Sequence, residues 1–285
     1  MAARILDGRA LASELRDGLA RRVAALGAAG VVPTLLVIMV GEDESSLAYV
    51  RGMRALGAKI GVDVVVDVLP LDIDDAGVRT ALMRHAGNAS VHGIILQQPL
   101  PAHLHVRAIA DAMPERKDVD AMNPGNQGRL AFATGARFIP ATPAAVMLLL
   151  ERSAAWPLAG RDVTVIGRSN VVGLPVSLLM MAQNATVTVT HKETRDIREH
   201  VRRAEVVVVA AGAPRLVDAS WLRAGATVID VGTTVVDGKL LGDVDFESAA
   251  TVAGEITPVP GGVGPVTNVA LMRNVVAAAE DLSSS

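Results

Sequence analysis

The sequence predicts an α/β protein, because short apolar or β-branched segments alternate with segments of helical periodicity along most of its 285 residues. Four such segments lie in the second half of the chain, at residues 163–166, 185–190, 206–212 and 226–232. Strands that follow one another through helices in this way are typical of a parallel sheet covered on both faces. The second half is therefore predicted to form one such sheet.

The first half predicts an α/β unit of its own. Leucine and valine side chains recur every three or four positions over 9–26, as on the buried stripe of a helix. Predicted strands follow at 34–40, 64–69 and 91–97, with helices over 42–60 and 73–85. The chain is long enough for two hydrophobic cores, so we expect two domains, joined by the proline- and glycine-rich passage at 114–140.

Composition excludes several classes of protein. The 27 basic and 30 acidic residues give a net charge of −3, and no basic patch indicates a nucleic-acid partner. The chain contains no cysteine, and its six histidines show no ligand spacing, so we predict no disulfide and no metal site. No apolar run reaches the roughly 20 residues that span a bilayer. We therefore expect a soluble, cytoplasmic protein without a membrane partner.

The strand predicted at 163–166 ends in Gly167, and a helical pattern resumes at Val176. A glycine there lets the backbone approach a phosphate, and the helix start offers unpaired N–H groups. The segment thus predicts a dinucleotide site, although Ser169 and Val172 occupy two glycine positions of the G-x-G-x-x-G fingerprint. The alternative is an ordinary glycine turn between a strand and a helix.

The next predicted strand ends in His191-Lys192, where an NAD-binding chain normally has a carboxylate for the ribose hydroxyls. Lys192 and Arg168 could instead neutralise a 2′-phosphate, which favours NADP over NAD. The alternative is that both cations are solvated surface residues. Near the C-terminus, the proline- and glycine-rich segment 257–265 either is a hinge or lines a site, and composition alone favours a hinge.

Five segments together resemble the folate-dependent methylenetetrahydrofolate dehydrogenase/cyclohydrolase family, and they lie at 40–50, 93–101, 117–120, 167–173 and 258–265. The form Gly167-x-Ser169-x-x-x-Gly173 is the one that this family's nucleotide turn takes. The resemblance implies two α/β domains flanking a cleft, the second Rossmann-like and binding NADP. It also implies a homodimer, a tetrahydrofolate derivative as substrate, and a C-terminal helix that returns to the first domain.

The resemblance implies domain limits and site residues as well. Residues 1–138 with 266–285 would be the folate-binding catalytic domain, and residues 139–265 would be the NADP-binding domain. The implied contacts to NADP are Gly167, Arg168, Ser169, Val172, Gly173, His191, Lys192 and Thr233.

The folate side of the site is likewise implied by the resemblance. Tyr49 would stack on the folate ring system, Asp120 would hold the nitrogen edge of the pterin, and the loop Pro260-Gly261-Gly262 would line the pocket. Without the resemblance, Tyr49 is better explained as a partly buried helix tyrosine and Asp120 as a loop-capping residue.

Met53 departs from the family pattern, because the bifunctional members carry a lysine four residues after the tyrosine. The family assigns that lysine to the cyclohydrolase half of the reaction, with Gln97 assisting it. A methionine thioether neither donates nor accepts a proton usefully. Asn123, where a histidine is usual, and Ala141, where a cysteine often stands, are lesser departures.

These residues predict an NADP-dependent 5,10-methylenetetrahydrofolate dehydrogenase whose cyclohydrolase activity is weak or absent. Hydride transfer is mainly a positioning task, so it does not require the lysine. Three alternatives remain open at this stage: a fully bifunctional enzyme that uses another base or a water, a non-catalytic protein that binds folate or nucleotide for regulation, and a relative that acts on another reduced pterin.

Overall fold

The computed structural model describes residues 3–132 and 135–283, without the side chain of Ser45. The strands are β1 (Arg4–Ile5), β2 (Thr34–Val40), β3 (Asp63–Leu69), β4 (Gly93–Leu96), β5 (Asp162–Ile166), β6 (Thr186–Thr190), β7 (Val206–Val209), β8 (Thr227–Asp230), β9 (Thr234–Val236), β10 (Lys239–Leu241) and β11 (Glu255–Ile256).

The helices are α1 (Gly8–Ala28), α2 (Glu44–Ile60), α3 (Asp75–Ala86), α4 (Val106–Ile109), α5 (Pro124–Ala131), α6 (Ala141–Leu150), α7 (Gly173–Ala182), α8 (Ile197–Arg203), α9 (Phe246–Ala249) and α10 (Val263–Ser283). Single 3₁₀ turns lie at Ala110–Ala112 and Ala219–Trp221. The alternation of strands and helices predicted in both halves is present.

The described chain divides into two compact units. The first, which we call the turn unit because it contains the predicted nucleotide turn, comprises residues 3–13 and Thr142–Thr267. The second, the Tyr49 unit, comprises Glu14–Ala141 and residues 268–283. Residues 3–13 were expected in the other domain, and they join the turn unit because Arg4–Ile5 pair in parallel with Glu255–Ile256.

The turn unit contains a six-stranded, wholly parallel sheet in the order β1-β11-β8-β7-β5-β6. The chain leaves β5 for β6 on one side and then crosses to β7 on the other side of β5. Such a reversal creates a crevice at the carboxyl ends of the two strands that flank it, and ligands of open α/β sheets bind there. The strands β9 and β10 form a separate antiparallel hairpin.

The Tyr49 unit contains a three-stranded parallel sheet in the order β3-β2-β4. Every residue of β2 is buried. Apolar side chains of β2 and β4 pack with Val78 and Leu82 of α3 in one hydrophobic cluster. This cluster supports the carboxyl end of β4, from which Gln97 follows.

The passage at 114–140, predicted as a loop-rich connection, contains the helix α5. Asn123 caps this helix, since its side-chain oxygen accepts a hydrogen bond from Gly125 N at 2.6 Å, and Pro124 occupies the first turn. Buried Asn126 and Leu130 anchor the helix. Tertiary packing thus overcomes the low helix propensity of its two glycines.

Candidate active site

The turn between β5 and α7 is built on two glycines whose neighbours leave no room for a side chain. Gly167 has φ +116°, and a Cβ atom there would lie 2.2 Å from the carbonyl oxygen of Ala210. A Cβ atom on Gly173 would lie 2.1 Å from the carbonyl oxygen of Gly167. Ser169 Oγ accepts a hydrogen bond from Val172 N at 3.2 Å, within the turn. Both positions therefore require glycine so that the turn can pack closely against its own backbone and against the loop after β7, and the turn leads directly into the N-terminus of α7.

The structure brings the end of β6 beside this turn. Gly167 N donates to Thr190 O at 2.8 Å, so His191 and Lys192 follow next to the glycine. Lys192 and Arg168 are both exposed. Lys192 lies 3.8 Å from a carboxylate oxygen of Glu193, in a pair whose side chains are 90% and 71% exposed, so that pair is strongly screened. Both cations are accessible to an anionic ligand.

A cavity of about 130 Å³ lies in the turn unit at the carboxyl ends of β8 and β11. Its lining includes Thr233, the loop Pro260-Gly261-Gly262 and Arg9. The loop is held by the start of α1, because Gly8 N donates to Gly261 O at 3.0 Å. Sequence reasoning assigned Thr233 to the cofactor and the loop to folate, whereas the structure places them around one cavity.

Two buried aspartates beside these loops were missed by the sequence analysis. Asp230 ends β8 and is 3% exposed, and Asp243 follows β10 and is fully buried. Burial is the main cause that raises the pKa of Asp230 to about 6, against three backbone N–H donors that lower it. The sequence contains one indication of Asp230, since this aspartate directly ends an apolar strand in Val228-Ile229-Asp230.

In the Tyr49 unit, Tyr49 and Met53 lie one turn apart on α2. Met53 is completely buried, so its thioether is closed to solvent. The cations that follow it, Arg54 and Lys59, are exposed, and Arg54 Nε donates to Val64 O at 3.4 Å. Neither cation therefore replaces the family's lysine.

Asp120 acts electrostatically on Tyr49. Burial raises the pKa of the Tyr49 hydroxyl above its ordinary range, and the negative charge of Asp120 adds to this effect. Burial also raises the pKa of Asp120 to about 6, with a further increase from Asp118, while a 2.8 Å hydrogen bond from Ala141 N lowers it. A carboxyl group that titrates near neutral pH can move protons in a reaction.

The loop that carries Asp120 is shaped by Asp118. This fully buried carboxylate accepts hydrogen bonds from Met122 N, Asn123 N and Asn126 Nδ2, each at 2.8 Å. The segment 117–120 therefore contains a structural carboxylate, Asp118, two residues before the candidate site carboxylate, Asp120, and the sequence analysis did not distinguish the two.

Gln97 lies just beyond β4, held by a 2.8 Å hydrogen bond from its backbone N to Ile38 O. Its side-chain Nε2 donates to Gln98 O at 2.6 Å. Ile94 of β4 forms a parallel bridge with Asp118, so β4 and the loop that carries Asp120 are neighbours in this unit.

Fold and site together define a two-domain α/β protein with a Rossmann-like dinucleotide-binding unit. Residues 6–120 match the family model described as the catalytic domain of tetrahydrofolate dehydrogenase/cyclohydrolase, and residues 140–283 match the model of its NAD(P)-binding domain. The chain belongs to the tetrahydrofolate dehydrogenase/cyclohydrolase family.

Individual relatives agree with this assignment over nearly the whole chain. The bifunctional protein FolD of Azoarcus sp. (strain BH72) is 47% identical, over 98% of this chain and 97% of its own length. The structure of the bifunctional FolD of Campylobacter jejuni has a TM-score of 0.94 at 36% identity, covering 98% of this chain and 99% of its own. The structure of Trypanosoma brucei FolD, complexed with NADP cofactor and inhibitor, has a TM-score of 0.94 at 37% identity, covering all of both chains.

Over residues 3–132 and 135–283, no helix combines the length and the apolar character needed to cross a membrane. Within the same described ranges, no group of three or more His, Asp or Glu side chains is arranged to hold a metal ion.

Proposed function

We propose that this chain oxidises 5,10-methylenetetrahydrofolate with NADP and also hydrolyses the resulting 5,10-methenyltetrahydrofolate to 10-formyltetrahydrofolate. The observation that carries the proposal is the coexistence of the Tyr49 and Asp120 pair in one unit with the glycine-built turn at Gly167 in the other. The name shared by the relatives, bifunctional protein FolD, favours the two-activity alternative over the expectation of weak or absent cyclohydrolase.

Binding of NADP is assigned to the turn unit, because the glycine-built turn leads directly into the N-terminus of α7, where unpaired N–H groups can bind a diphosphate. Arg168 and Lys192 would pair with the 2′-phosphate, while Thr233 would line the nicotinamide end. Bound NADP supplies the hydride acceptor. We assign folate binding to the Tyr49 unit.

For the dehydrogenase step, the protein has to hold the methylene carbon against the nicotinamide ring. Tyr49 would stack on the pterin, and Asp120 would accept hydrogen bonds from its nitrogen edge. The hydride leaves with its electron pair, and the folate nitrogens stabilise the cation that remains. No protein base is required in this step.

For the cyclohydrolase step, water adds to the methenyl carbon, the bond from that carbon to N5 breaks, and of the two water protons one is taken up by N5 and one is released. A base that titrates near neutral pH suits this task. Asp120 fits, because its pKa is raised to about 6. Asp120 is therefore proposed to accept the proton by way of water, since its carboxylate would lie at the nitrogen edge of the pterin, and it fills the role that Met53 cannot fill.

One observation favours a second candidate, a dehydrogenase without useful cyclohydrolase activity. Met53 is fully buried and apolar at the position of the family's catalytic lysine. In that case, methenyltetrahydrofolate would leave the site and hydrolyse in solution.

A turnover assay with 5,10-methylenetetrahydrofolate and NADP distinguishes the two candidates. The products NADPH, methenyl and 10-formyl folate are separated by chromatography, with an enzyme-free sample as the blank. Hydrolysis faster than the blank supports the bifunctional proposal, and hydrolysis at the blank rate supports the dehydrogenase-only candidate. Absence of NADPH with NADP and of NADH with NAD would overturn both.

A further inference from the structure

The buried aspartates Asp230 and Asp243 form a hydrogen-bonded chain across the carboxyl edge of the sheet in the turn unit. Asp230 Oδ1 accepts from Asp243 N and Gly232 N, both at 2.9 Å, and Asp230 Oδ2 accepts from Val244 N at 3.0 Å. The Asp230 carboxylate therefore fixes two backbone segments: the turn that it begins, through Gly232 N, and the segment that carries Asp243.

Asp243 in turn forms hydrogen bonds to the loop after β7. Its Oδ2 accepts hydrogen bonds from Ala211 N at 2.7 Å and from Gly212 N at 2.8 Å. Its Oδ1 is buried and has no hydrogen-bond partner among the described residues. Within the described part of the chain, all hydrogen bonds of the Asp243 side chain are thus made by Oδ2.

The loop after β7 in turn adjoins the nucleotide turn. Ala210 N donates to Ile166 O at 2.8 Å, and the carbonyl oxygen of Ala210 is the atom that a Cβ on Gly167 would meet. A shift of this loop would therefore change the space at Gly167. Thr233, on the other side, directly follows the Gly232 amide that Asp230 holds.

Both carboxylates are in close contact with backbone as well. A Cβ atom on Gly232 would lie 2.5 Å from Asp243 Oδ1, and one on Gly242 would lie 1.9 Å from Asp230 Oδ2. No ion pair joins either aspartate to a cation among the described residues. Burial of two carboxylates without a counter-ion costs stability, and the backbone N–H groups that donate to them are the interactions that offset this cost.

We infer that Asp230 and Asp243 are positioning residues for the dinucleotide, and that they hold the loops at 210–212 and 232–233 in the shape that accepts NADP. This inference rests on the proposed NADP site. The aspartates do not touch the reacting atoms themselves. They act through backbone amides, whose orientation they determine on two neighbouring strands.

The two aspartates should differ in their tolerance of asparagine. In Asp243→Asn, the amide oxygen can accept from both Ala211 N and Gly212 N, and the amide nitrogen then occupies the position of the unpartnered oxygen. In Asp230→Asn, both oxygens already accept N–H donors, so the amide nitrogen must face one of them. Asp243→Ala removes the acceptor altogether.

The test measures the Kd for NADP by calorimetry, together with kcat and the KM for methylenetetrahydrofolate. We expect Asp243→Ala and Asp230→Asn to weaken NADP binding about tenfold or more, which corresponds to loss of one well-made hydrogen bond. Asp243→Asn should restore the Kd to within about threefold of the wild type, and the folate KM should stay within about twofold throughout. Asp237→Asn, in the exposed turn between β9 and β10, is the matched control.

The inference is overturned if folded Asp243→Ala binds NADP as the wild type does, or if it raises the folate KM equally. If Asp243→Ala does not fold, Asp230→Asn and Asp243→Asn are compared instead. The inference predicts weaker NADP binding in Asp230→Asn than in Asp243→Asn, so equal NADP affinities in these two variants would overturn it. A wild type that binds no NADP overturns the proposed function and the inference together. Normal binding in the wild type and in every variant overturns the inference alone.

Discussion

At the scale of single residues, the surroundings of Asp120 decide its chemistry. An aspartate has an ordinary pKa near 4, which makes it a weak base. Burial and the neighbouring Asp118 raise the pKa of Asp120 to about 6. Asp120, for which the family resemblance implies both a catalytic and a pterin-binding role, is thereby a candidate proton acceptor.

The pKa of Asp120 predicts a pH-dependent stability. Folded Asp120 keeps its proton up to about pH 6, whereas the unfolded chain releases it near pH 4. Between these values the folded state binds more protons, so this group lowers the free energy of unfolding as pH rises. Asp120→Asn removes the effect, and its stability relative to wild type should rise by about 1–3 kcal/mol from pH 4 to pH 7. Urea unfolding across this range measures the difference.

Asp237→Asn serves as the control in those unfolding experiments. A stability difference between Asp120→Asn and wild type that stays constant from pH 4 to pH 7 would contradict the assignment.

Residue 53 carries a second prediction. Met53→Lys places an amine four residues after Tyr49, and we expect it to raise the cyclohydrolase rate about tenfold or more if the dehydrogenase-only candidate is right. If Asp120 already acts as the base, the gain should be less than about threefold. Chromatography of the 10-formyl product measures the rate, and Met53→Leu, which keeps the site apolar, is the control.

Burial of a lysine at a fully buried position costs stability, so each Met53 variant is first compared with wild type by thermal unfolding. An increase in hydrolysis by Met53→Leu would contradict the argument that proton transfer is the missing function.

At the scale of elements, the turn from β5 to α7 makes a steric prediction. A Cβ atom at position 167 would collide with the carbonyl oxygen of Ala210 at 2.2 Å, in a backbone conformation that side chains rarely adopt. Gly167→Ala should therefore weaken NADP binding about tenfold or more and leave the folate KM within about twofold. Calorimetry with NADP measures the first effect, and initial rates measure the second.

Gly18→Ala is the matched control for this variant. Gly18 lies inside α1, where a Cβ atom would come no closer than 3.9 Å to another group. Alanine there should stabilise the helix by about 0.5–1 kcal/mol and leave NADP binding unchanged. Wild-type NADP affinity in Gly167→Ala would refute the proposed contact.

The end of β6 makes a prediction about cofactor choice. Lys192→Glu places a carboxylate where it repels a 2′-phosphate and can bind ribose hydroxyls. The ratio of kcat/KM for NADP to that for NAD should fall about tenfold or more. Lys239→Glu makes the same charge change at an exposed lysine of β10. Equal falls in both variants would indicate a general charge effect rather than a phosphate contact.

At the scale of the whole molecule, we propose a homodimer. The described residues include exposed apolar side chains on the edge strand β3 and on the hairpin β9–β10, such as Val65 and Val235. Exposed apolar area of this kind favours association. Sedimentation equilibrium should give twice the chain mass of 29.5 kDa, and a single species at the chain mass up to about 100 μM would contradict the proposal.

The sequence by itself determined the alternation of strands and helices, the glycine turn at Gly167, the cationic end of β6 and the methionine at position 53. These are local features, since periodicity, glycine placement and side-chain chemistry act over a few residues. The helix α5 was missed, because its stability comes from buried Asn126 and Leu130 rather than from local propensity.

Only the tertiary structure decided which distant residues meet. Asp243 holds amides 31 and 32 residues earlier in the chain, and the pairing of Arg4–Ile5 with Glu255–Ile256 takes the amino terminus into the turn unit. The pKa of Asp120 likewise depends on its burial and on the charge of Asp118 nearby. Such properties arise from packing and a low local dielectric, which no short stretch of sequence specifies.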